Sequence, residues 1–183
     1  MRRLLITLLG AIALLGIVAA PAAAQNTDDP TEVAEKVAAV DVLQVNGLFD
    51  DIVVTEIGDA IDRAVDQGSQ ALVLQVNSRG AVVSDEAIAT LMDRIAEAPV
   101  PIGVWVGPTG ARLYGTPAQI LAVADVTGMA PGARVGNIGP SVSEHELGPG
   151  LNALRTQTVG LSDARSLSVF KQRISDEGIA TMV

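Results

Sequence analysis

From residue 40 onward, short apolar runs alternate with segments whose apolar residues recur every three or four positions. Short runs rich in valine, leucine and isoleucine are typical of buried strands, and the three-to-four spacing is typical of amphipathic helices. Ser84 is suited to cap the second helix, which Pro99 and Pro101 would terminate. In chain order, the pattern predicts a strand at 42–45, a helix at 53–67, a strand at 71–76, a helix at 84–95, a strand at 102–106 and a helix through 120–123.

This order of elements predicts an α/β fold of stacked βαβ units around a parallel sheet. Parallel strands need long crossover connections, which are usually helical and right-handed. Such sheets bind ligands beyond the carboxyl ends of their strands. Those ends carry two glycine-bearing loops, Asn77–Ala81 and Gly107–Gly110. We therefore expect both loops to face one crevice.

The first residues have the pattern of an export signal. Arg2 and Arg3 precede an apolar run at 4–20, and an Ala-x-Ala cleavage pattern ends at Ala24. The sequence thus predicts a signal peptide at 1–24, a mobile leader at 25–39 and a folded domain at 40–183, exported across the cytoplasmic membrane. An uncleaved anchor is the alternative, because the apolar run has the length of a short membrane-spanning helix.

The last third of the chain has no clear periodicity. Its many glycines and prolines between residues 131 and 150 predict loops, and a helix is predicted for 162–170. The sequence stops at Thr181–Val183 without a polar tail. This ending would fit a domain that is truncated at its C-terminus.

The composition disfavours several kinds of chemistry. The chain has no cysteine and one histidine, so we expect no disulfide, no thiol nucleophile and no metal site. The histidine, His145, lies between two glutamates in a segment typical of a solvated loop. A net charge of −9 with 2% aromatic residues disfavours nucleic acid as a partner. Neither glycine loop matches a phosphate-binding motif, and no cofactor is predicted.

A set of sequence blocks between Val73 and Val142 carries a family resemblance. In chain order the blocks are Asn77–Ala81 (N-S-R-G-A), Ala98–Pro101 (A-P-V-P), Pro108–Arg112 (P-T-G-A-R) and Met129–Gly136 (M-A-P-G-A-R-V-G). They resemble the N-terminal domain of NfeD proteins, membrane-associated serine proteases of the ClpP class. The resemblance implies the ClpP/crotonase fold for this chain.

The resemblance also implies where a catalytic serine and lysine would stand, and the chain has neither residue there. Gly115 occupies the serine position, and the stretch that holds the family's lysine contains Arg155 instead. Arginine cannot serve as a general base, because its guanidinium stays protonated. The hydroxyl of the next residue, Thr116, would point in a different direction from the same helix. No catalytic residue of the inherited kind is therefore expected.

Other parts of a protease crevice are implied to remain. The equivalents of the oxyanion loop are Gly80, Ala81 and Thr116. The residues implied to line the groove are Asn77, Ser78, Arg79, Thr109, Gly110 and Tyr114. The family has small residues where this chain has Tyr114, so we expect the tyrosine to fill the former substrate channel.

These expectations favour a protease-like domain that does not catalyse. It would bind peptide segments, such as part of a stomatin-like membrane protein, or self-associate as a homo-oligomer at the membrane exterior. The alternative is an active serine endopeptidase that acts on stomatin-like tails through a displaced nucleophile such as Ser78 or Ser141. An acyl-CoA enzyme of the crotonase type is disfavoured, because the acidic chain has few basic residues to bind the phosphates of CoA.

Overall fold

The computed structural model describes residues 39–169. Within this range the chain forms seven strands, four α-helices and one 3-10 helix. In chain order these are β1 (Val40–Asn46), α1 (Asp51–Gln67), β2 (Ala71–Asn77), α2 (Asp85–Ala96), β3 (Ile102–Val106), β4 (Arg112–Tyr114), the 3-10 helix (Thr116–Ala122), β5 (Val126–Met129), β6 (Arg134–Gly136), α3 (Gly148–Asn152), β7 (Thr158–Gly160) and α4 (Leu161–Ser166).

The first sheet has four parallel strands in the order β1-β2-β3-β5. The register places Val42 beside Val73, Val73 beside Gly103, and Gly103 beside Val126. Helices α1 and α2 provide the first two crossovers, as the alternation of strands and helices predicted. The predicted α/β fold with a parallel sheet is confirmed.

One face of this sheet forms the main core with α1 and α2. Leu72, Leu74 and Val76 alternate along β2 and are at most 1% exposed, and Ile57 of α1 and Ile88 of α2 are fully buried. Burying apolar surface in this way is the main favourable term in folding. The opposite face of the sheet leaves several large apolar side chains exposed, as described below.

The N-terminal caps of the two long helices are formed by side chains that are typical of this position. The Asp50 carboxylate accepts a hydrogen bond from Val53 N at 2.8 Å at the start of α1. Ser84 Oγ accepts one from Ala87 N at 3.2 Å at the start of α2, which confirms Ser84 as the predicted cap. Side-chain oxygens at these positions satisfy backbone donors that the helix itself leaves without acceptors.

A second sheet lies in the part of the chain that was expected to be mostly loop. It has the order β4-β6-β7, with β4 and β6 parallel and β6 and β7 antiparallel. The predicted loops between 131 and 150 are therefore wrong for β6 and for the first residues of α3, and no strand was predicted for β4 or β7. Each of these strands has three residues, which is too few to show an alternation of apolar and polar positions.

Two of the predicted helices differ from the structure in type or length. The helix through 120–123 is a 3-10 helix that ends at Ala122, and Val123 N donates to Ile120 O, three residues back, at 3.2 Å. Pro117 is buried in its first turn, where the missing N–H of proline is tolerated. Helix α4 ends at Ser166 rather than continuing toward 170.

The predicted signal peptide at 1–24 lies outside the described residues, as does almost all of the predicted leader. Across positions 39–169, no helix combines the length and the apolar character needed to cross a membrane.

Candidate functional site

The loop after β2, residues 78–81, is held by hydrogen bonds on both of its sides. On one side, Phe49 N donates to Gly80 O at 3.0 Å. On the other side, Ser78 N donates to Arg112 O of β4 at 2.6 Å. The β2 loop thus lies between the segment that follows β1 and strand β4, and it forms a parallel bridge with each of them. The carboxyl edge of the first sheet is in this way joined to the second sheet.

Gly115 directly follows β4 and has a backbone that favours glycine. Its φ is +74° and its ψ is −165°, and its amide donates to Gly136 O at 3.3 Å. A Cβ built on Gly115 would lie 3.2 Å from Gly80 Cα, a backbone atom of the β2 loop. A side chain at this position would therefore be strained by the backbone angles and crowded by the facing loop.

The three residues implied to correspond to the oxyanion loop differ in the partners of their amides. Gly80 N donates to Ser78 Oγ at 3.3 Å, and this hydroxyl donates in turn to Gly80 O at 2.9 Å. The amides of Ala81 and Thr116 donate no hydrogen bond to any atom of residues 39–169. Both residues are half-buried. Two backbone donors are thus left to bind solvent or an acceptor supplied by a ligand.

A small cavity of about 180 Å³ lies at this edge of the first sheet, lined by Gly47, Leu48, Asn77 and Arg79. Asn77 is oriented by a hydrogen bond from Arg112 N to its Oδ1 at 3.0 Å. Arg79 is exposed, and its guanidinium has no hydrogen bond or ion pair with the described part of the chain. The cavity is therefore bordered by an unpaired positive charge.

The other residues implied to line the groove are divided between two places. Tyr114 is half-buried, and its amide donates to Ser78 O at 3.1 Å, so it lies beside the β2 loop. Thr109 and Gly110 are exposed and lie near Gly132, since a Cβ built on Gly132 would be 3.8 Å from Gly110 N and from Thr109 Cγ2. The structure therefore brings Asn77, Ser78, Arg79 and Tyr114 together, whereas Thr109 and Gly110 border a different part of the second sheet.

Arg155, which stands in the stretch implied to correspond to that of the family's lysine, holds a loop in place. Its guanidinium donates to Asn152 Oδ1 at 2.8 Å and to Gly139 O at 3.3 Å. Its own carbonyl accepts from Gly139 N at 3.2 Å. None of these contacts involves Gly115.

The two serines considered as displaced nucleophiles have no general base among the described contacts. Ser78 is 1% exposed, with its hydroxyl bound to Gly80, and the Ser141 hydroxyl donates to Ser143 O at 3.0 Å. His145 Nε2 lies 2.8 Å from Asp93 Oδ1 of α2, so its loop is attached to a helix rather than free in solvent. Lys36 and Lys171, the two lysines of the chain, lie outside the described residues.

Gln119 is a buried polar residue that the sequence analysis did not single out. It is fully buried in the 3-10 helix, and its Nε2 donates to Ile138 O at 2.9 Å and to Pro140 O at 2.7 Å. Its Oε1 accepts from Val142 N at 3.1 Å. One side chain thereby fixes the loop that follows β6. The signal available in the sequence was a glutamine alone within the apolar run T-P-A-Q-I-L-A.

No protein-family model and no curated protein sequence matches this chain. Solved structures resemble it in fold. A mutant of a membrane-bound stomatin-specific protease, solved with a substrate peptide, aligns over 79% of each chain with a TM-score of 0.64 and 16% identity. A membrane protease from Pyrococcus horikoshii specific for a stomatin homolog aligns over 79% of this chain and 78% of that chain, with a TM-score of 0.62 and 17% identity.

An enoyl-CoA hydratase/isomerase family protein from Silicibacter pomeroyi is also similar, over 79% of this chain and 75% of that chain, with a TM-score of 0.53 and 16% identity. At these identities the similarity establishes the fold. The chain has the α/β architecture shared by ClpP-like proteases and the crotonase group.

Proposed function

We propose that this chain is an NfeD-type, ClpP-class protease-like domain that lacks catalysis and binds peptide segments. The observation that carries the proposal is the backbone of Gly115, the residue at the implied nucleophile position. With a φ of +74° and a Cβ position 3.2 Å from Gly80 Cα, this site has no unstrained place for a serine side chain.

The surroundings of Arg155 support the same proposal. A lysine base must lose its proton and reach the nucleophile, whereas the Arg155 guanidinium stays protonated and is bound to Gly139 and Asn152. In this proposal, residues with structural contacts of their own stand at the implied positions of both nucleophile and base.

The proposal that the domain binds peptides rests on hydrogen-bond donors at the carboxyl edge of the first sheet. The amides of Ala81 and Thr116 have no acceptor in the described range, and Arg79 adds a positive charge beside the cavity. An extended peptide presents carbonyl oxygens at regular spacing, which suits such donors. A similar fold has been solved with a substrate peptide. We propose a membrane-protein segment, such as one from a stomatin-like protein, as the ligand, with self-association into a homo-oligomer as the second candidate.

The absence of catalysis is tested with a fluorophosphonate probe, which labels activated serines. Wild type and Gly115→Ser are both expected to remain unlabelled, because no base is placed to activate the hydroxyl. Gly115→Ala is the matched control for backbone strain, and both variants should lose about 1–3 kcal/mol in free energy of unfolding. Labelling of wild type at Ser78 or Ser141 would support the endopeptidase alternative instead. Labelling of Gly115→Ser would refute the argument that no base is placed to activate a hydroxyl at this position.

Peptide binding is tested by amide hydrogen exchange measured residue by residue with NMR. In the free protein, the amides of Ala81 and Thr116 should exchange faster than those of Ser78 and Tyr114, which donate to backbone carbonyls. Extended apolar peptides should slow exchange at Ala81 and Thr116, while Ser78 and Tyr114 serve as internal controls that stay protected. If no peptide of an apolar library changes either rate, the groove is not a peptide site, and self-association becomes the better account.

We further propose that residues 1–24 direct export and that residues 40–183 form the domain outside the cytoplasmic membrane. The basic start, the apolar run and the Ala-x-Ala pattern support this location. It would place the domain where the tails of membrane proteins are accessible.

A further inference from the structure

A second, apolar cavity lies on the exposed face of the first sheet, away from α1 and α2. Its volume is about 400 Å³. Gly103 of β3 forms the floor, with Val73 of β2 and Val126 of β5 on either side and the indole of Trp105 at one end. We call this cavity the glycine slot. It extends from the first residues of β2 and β5 along β3 to Trp105, on the face of the sheet opposite to α1 and α2.

The slot exists because several residues have no side chain. A Cβ built on Gly103 would meet Val73 Cγ2 at 3.5 Å, which is ordinary contact, so the space above Gly103 is open. The indole of Trp105 lies over Gly128, where a Cβ would come within 2.9 Å of two ring atoms. A Cβ on Gly107 would overlap the indole nitrogen. Because Gly107 and Gly128 have no side chains, the ring has room to lie at the end of the slot.

The lining favours an uncharged group in the part of a ligand that lies in the slot. Alanine, valine, proline, isoleucine, tryptophan and glycine provide all of the lining residues except Thr127, and none of them is charged. A charged group placed among these side chains would lose hydration without gaining a partner. A flexible aliphatic chain could instead lie along β3 and contact valine methyl groups and the indole ring.

The exposed apolar surface around the slot is limited to a few side chains. Four large apolar side chains on this face are partly exposed, namely Val40 (52%), Val42 (59%), Trp105 (39%) and Val126 (43%). Together they present a few hundred Å², so a second copy seated here would have to bury a larger area of the surrounding surface to reach the roughly 800 Å² that a stable interface takes from each partner. Glutamines of β1 and β2 also interrupt the face beside Trp105. By contrast, the slot volume falls within the range of small-molecule sites, about 300–1,000 Å³.

We propose that the glycine slot binds the aliphatic chain of a small, uncharged amphiphile. The site is distinct from the peptide crevice, because the slot lies on the exposed face of the first sheet and shares no lining residue with the cavity at the carboxyl edge. Binding at the slot would change the surroundings of Trp105, which is the single tryptophan of the chain.

The experiment titrates n-decanol into the full chain and follows Trp105 fluorescence, with calorimetry as a readout that does not depend on the indole. Saturable binding with a blue-shifted emission is expected. Decanoate should bind at least tenfold more weakly than decanol, because its carboxylate adds a charge to the same aliphatic chain. Equal binding of the two would contradict the uncharged lining as the determinant.

Gly103→Leu is the blocking variant. Its side chain should fill the slot without backbone strain, since Gly103 has an ordinary strand conformation with an open Cβ position, and decanol affinity should fall at least tenfold. Val42→Thr is the matched control, because Val42 lies on the same face but does not line the slot. Its affinity should stay within twofold of wild type.

Val126→Lys provides a second test should Gly103→Leu fail to fold. It places a charge on an exposed wall of the slot, and a tenfold loss of affinity is again expected. Unsaturable partitioning of decanol, or unchanged affinity in the slot variants, would refute the proposal. So would a concentration-dependent dimer that Val126→Lys abolishes, since the face would then be occupied by a second copy.

Discussion

Gly136→Ala is expected to destabilise the fold by about 4 kcal/mol or more, an unusually large effect for adding one methyl group. The residue has a φ of +146°, which side chains rarely adopt. A Cβ at this position would also overlap the backbone oxygen of Gln157 and lie 2.6 Å from Thr158 Cα. Strand β7 would have to move away from β6, which breaks the antiparallel pair.

The free energy of unfolding is measured by urea titration, with Gly139→Ala as the matched control. Gly139 also has a positive φ, +72°, but nothing lies within 4 Å of its Cβ position. Its replacement should cost about 1 kcal/mol through backbone angles alone. If the two variants differ by less than about 1 kcal/mol, the packing of β6 against β7 is looser than the structure indicates.

Gln119→Leu is expected to lower the free energy of unfolding by about 3 kcal/mol. The leucine keeps the approximate volume of the side chain but leaves Val142 N and the carbonyls of Ile138 and Pro140 without their partner. Buried backbone groups without hydrogen bonds cost about 1–3 kcal/mol each, and partial access of water to this loop reduces the total.

The control for this variant is Gln75→Leu, measured in the same urea titration. Gln75 lies on the exposed face of the first sheet, and its side chain has no hydrogen bond within residues 39–169. The substitution should change stability by no more than about 0.5 kcal/mol. Equal effects of the two variants would mean that Gln119 contributes through volume and not through its amide.

The first half of the fold follows from the sequence because its elements are long enough to show their period. Helix α1 has 17 residues and β2 has seven, so several turns and alternations reveal the buried side. The second sheet could not be predicted in this way. Its strands are held by pairings such as Leu113 with Val135, which join positions that local patterns do not connect.

In the candidate site too, one part of the arrangement could be predicted from the sequence and another part could not. The family resemblance implied that Gly80 and Gly115 belong to one active-site region, and the structure places the Cβ position of Gly115 3.2 Å from Gly80 Cα. The sequence alone could not show the positive φ of Gly115, nor that Thr109 and Gly110 lie beside Gly132. Backbone angles and loop positions depend on long-range packing, which a linear pattern does not contain.

The anchoring of residues 78–81 on both sides affects the kinetics of ligand association. To move outward, this loop would have to break its hydrogen bonds to Phe49 and to Arg112 together. A partner therefore meets a preorganised surface and loses little conformational entropy in ordering it. Association at this edge should proceed in a single step whose observed rate rises linearly with ligand concentration, without the plateau that a slow opening of the loop would impose.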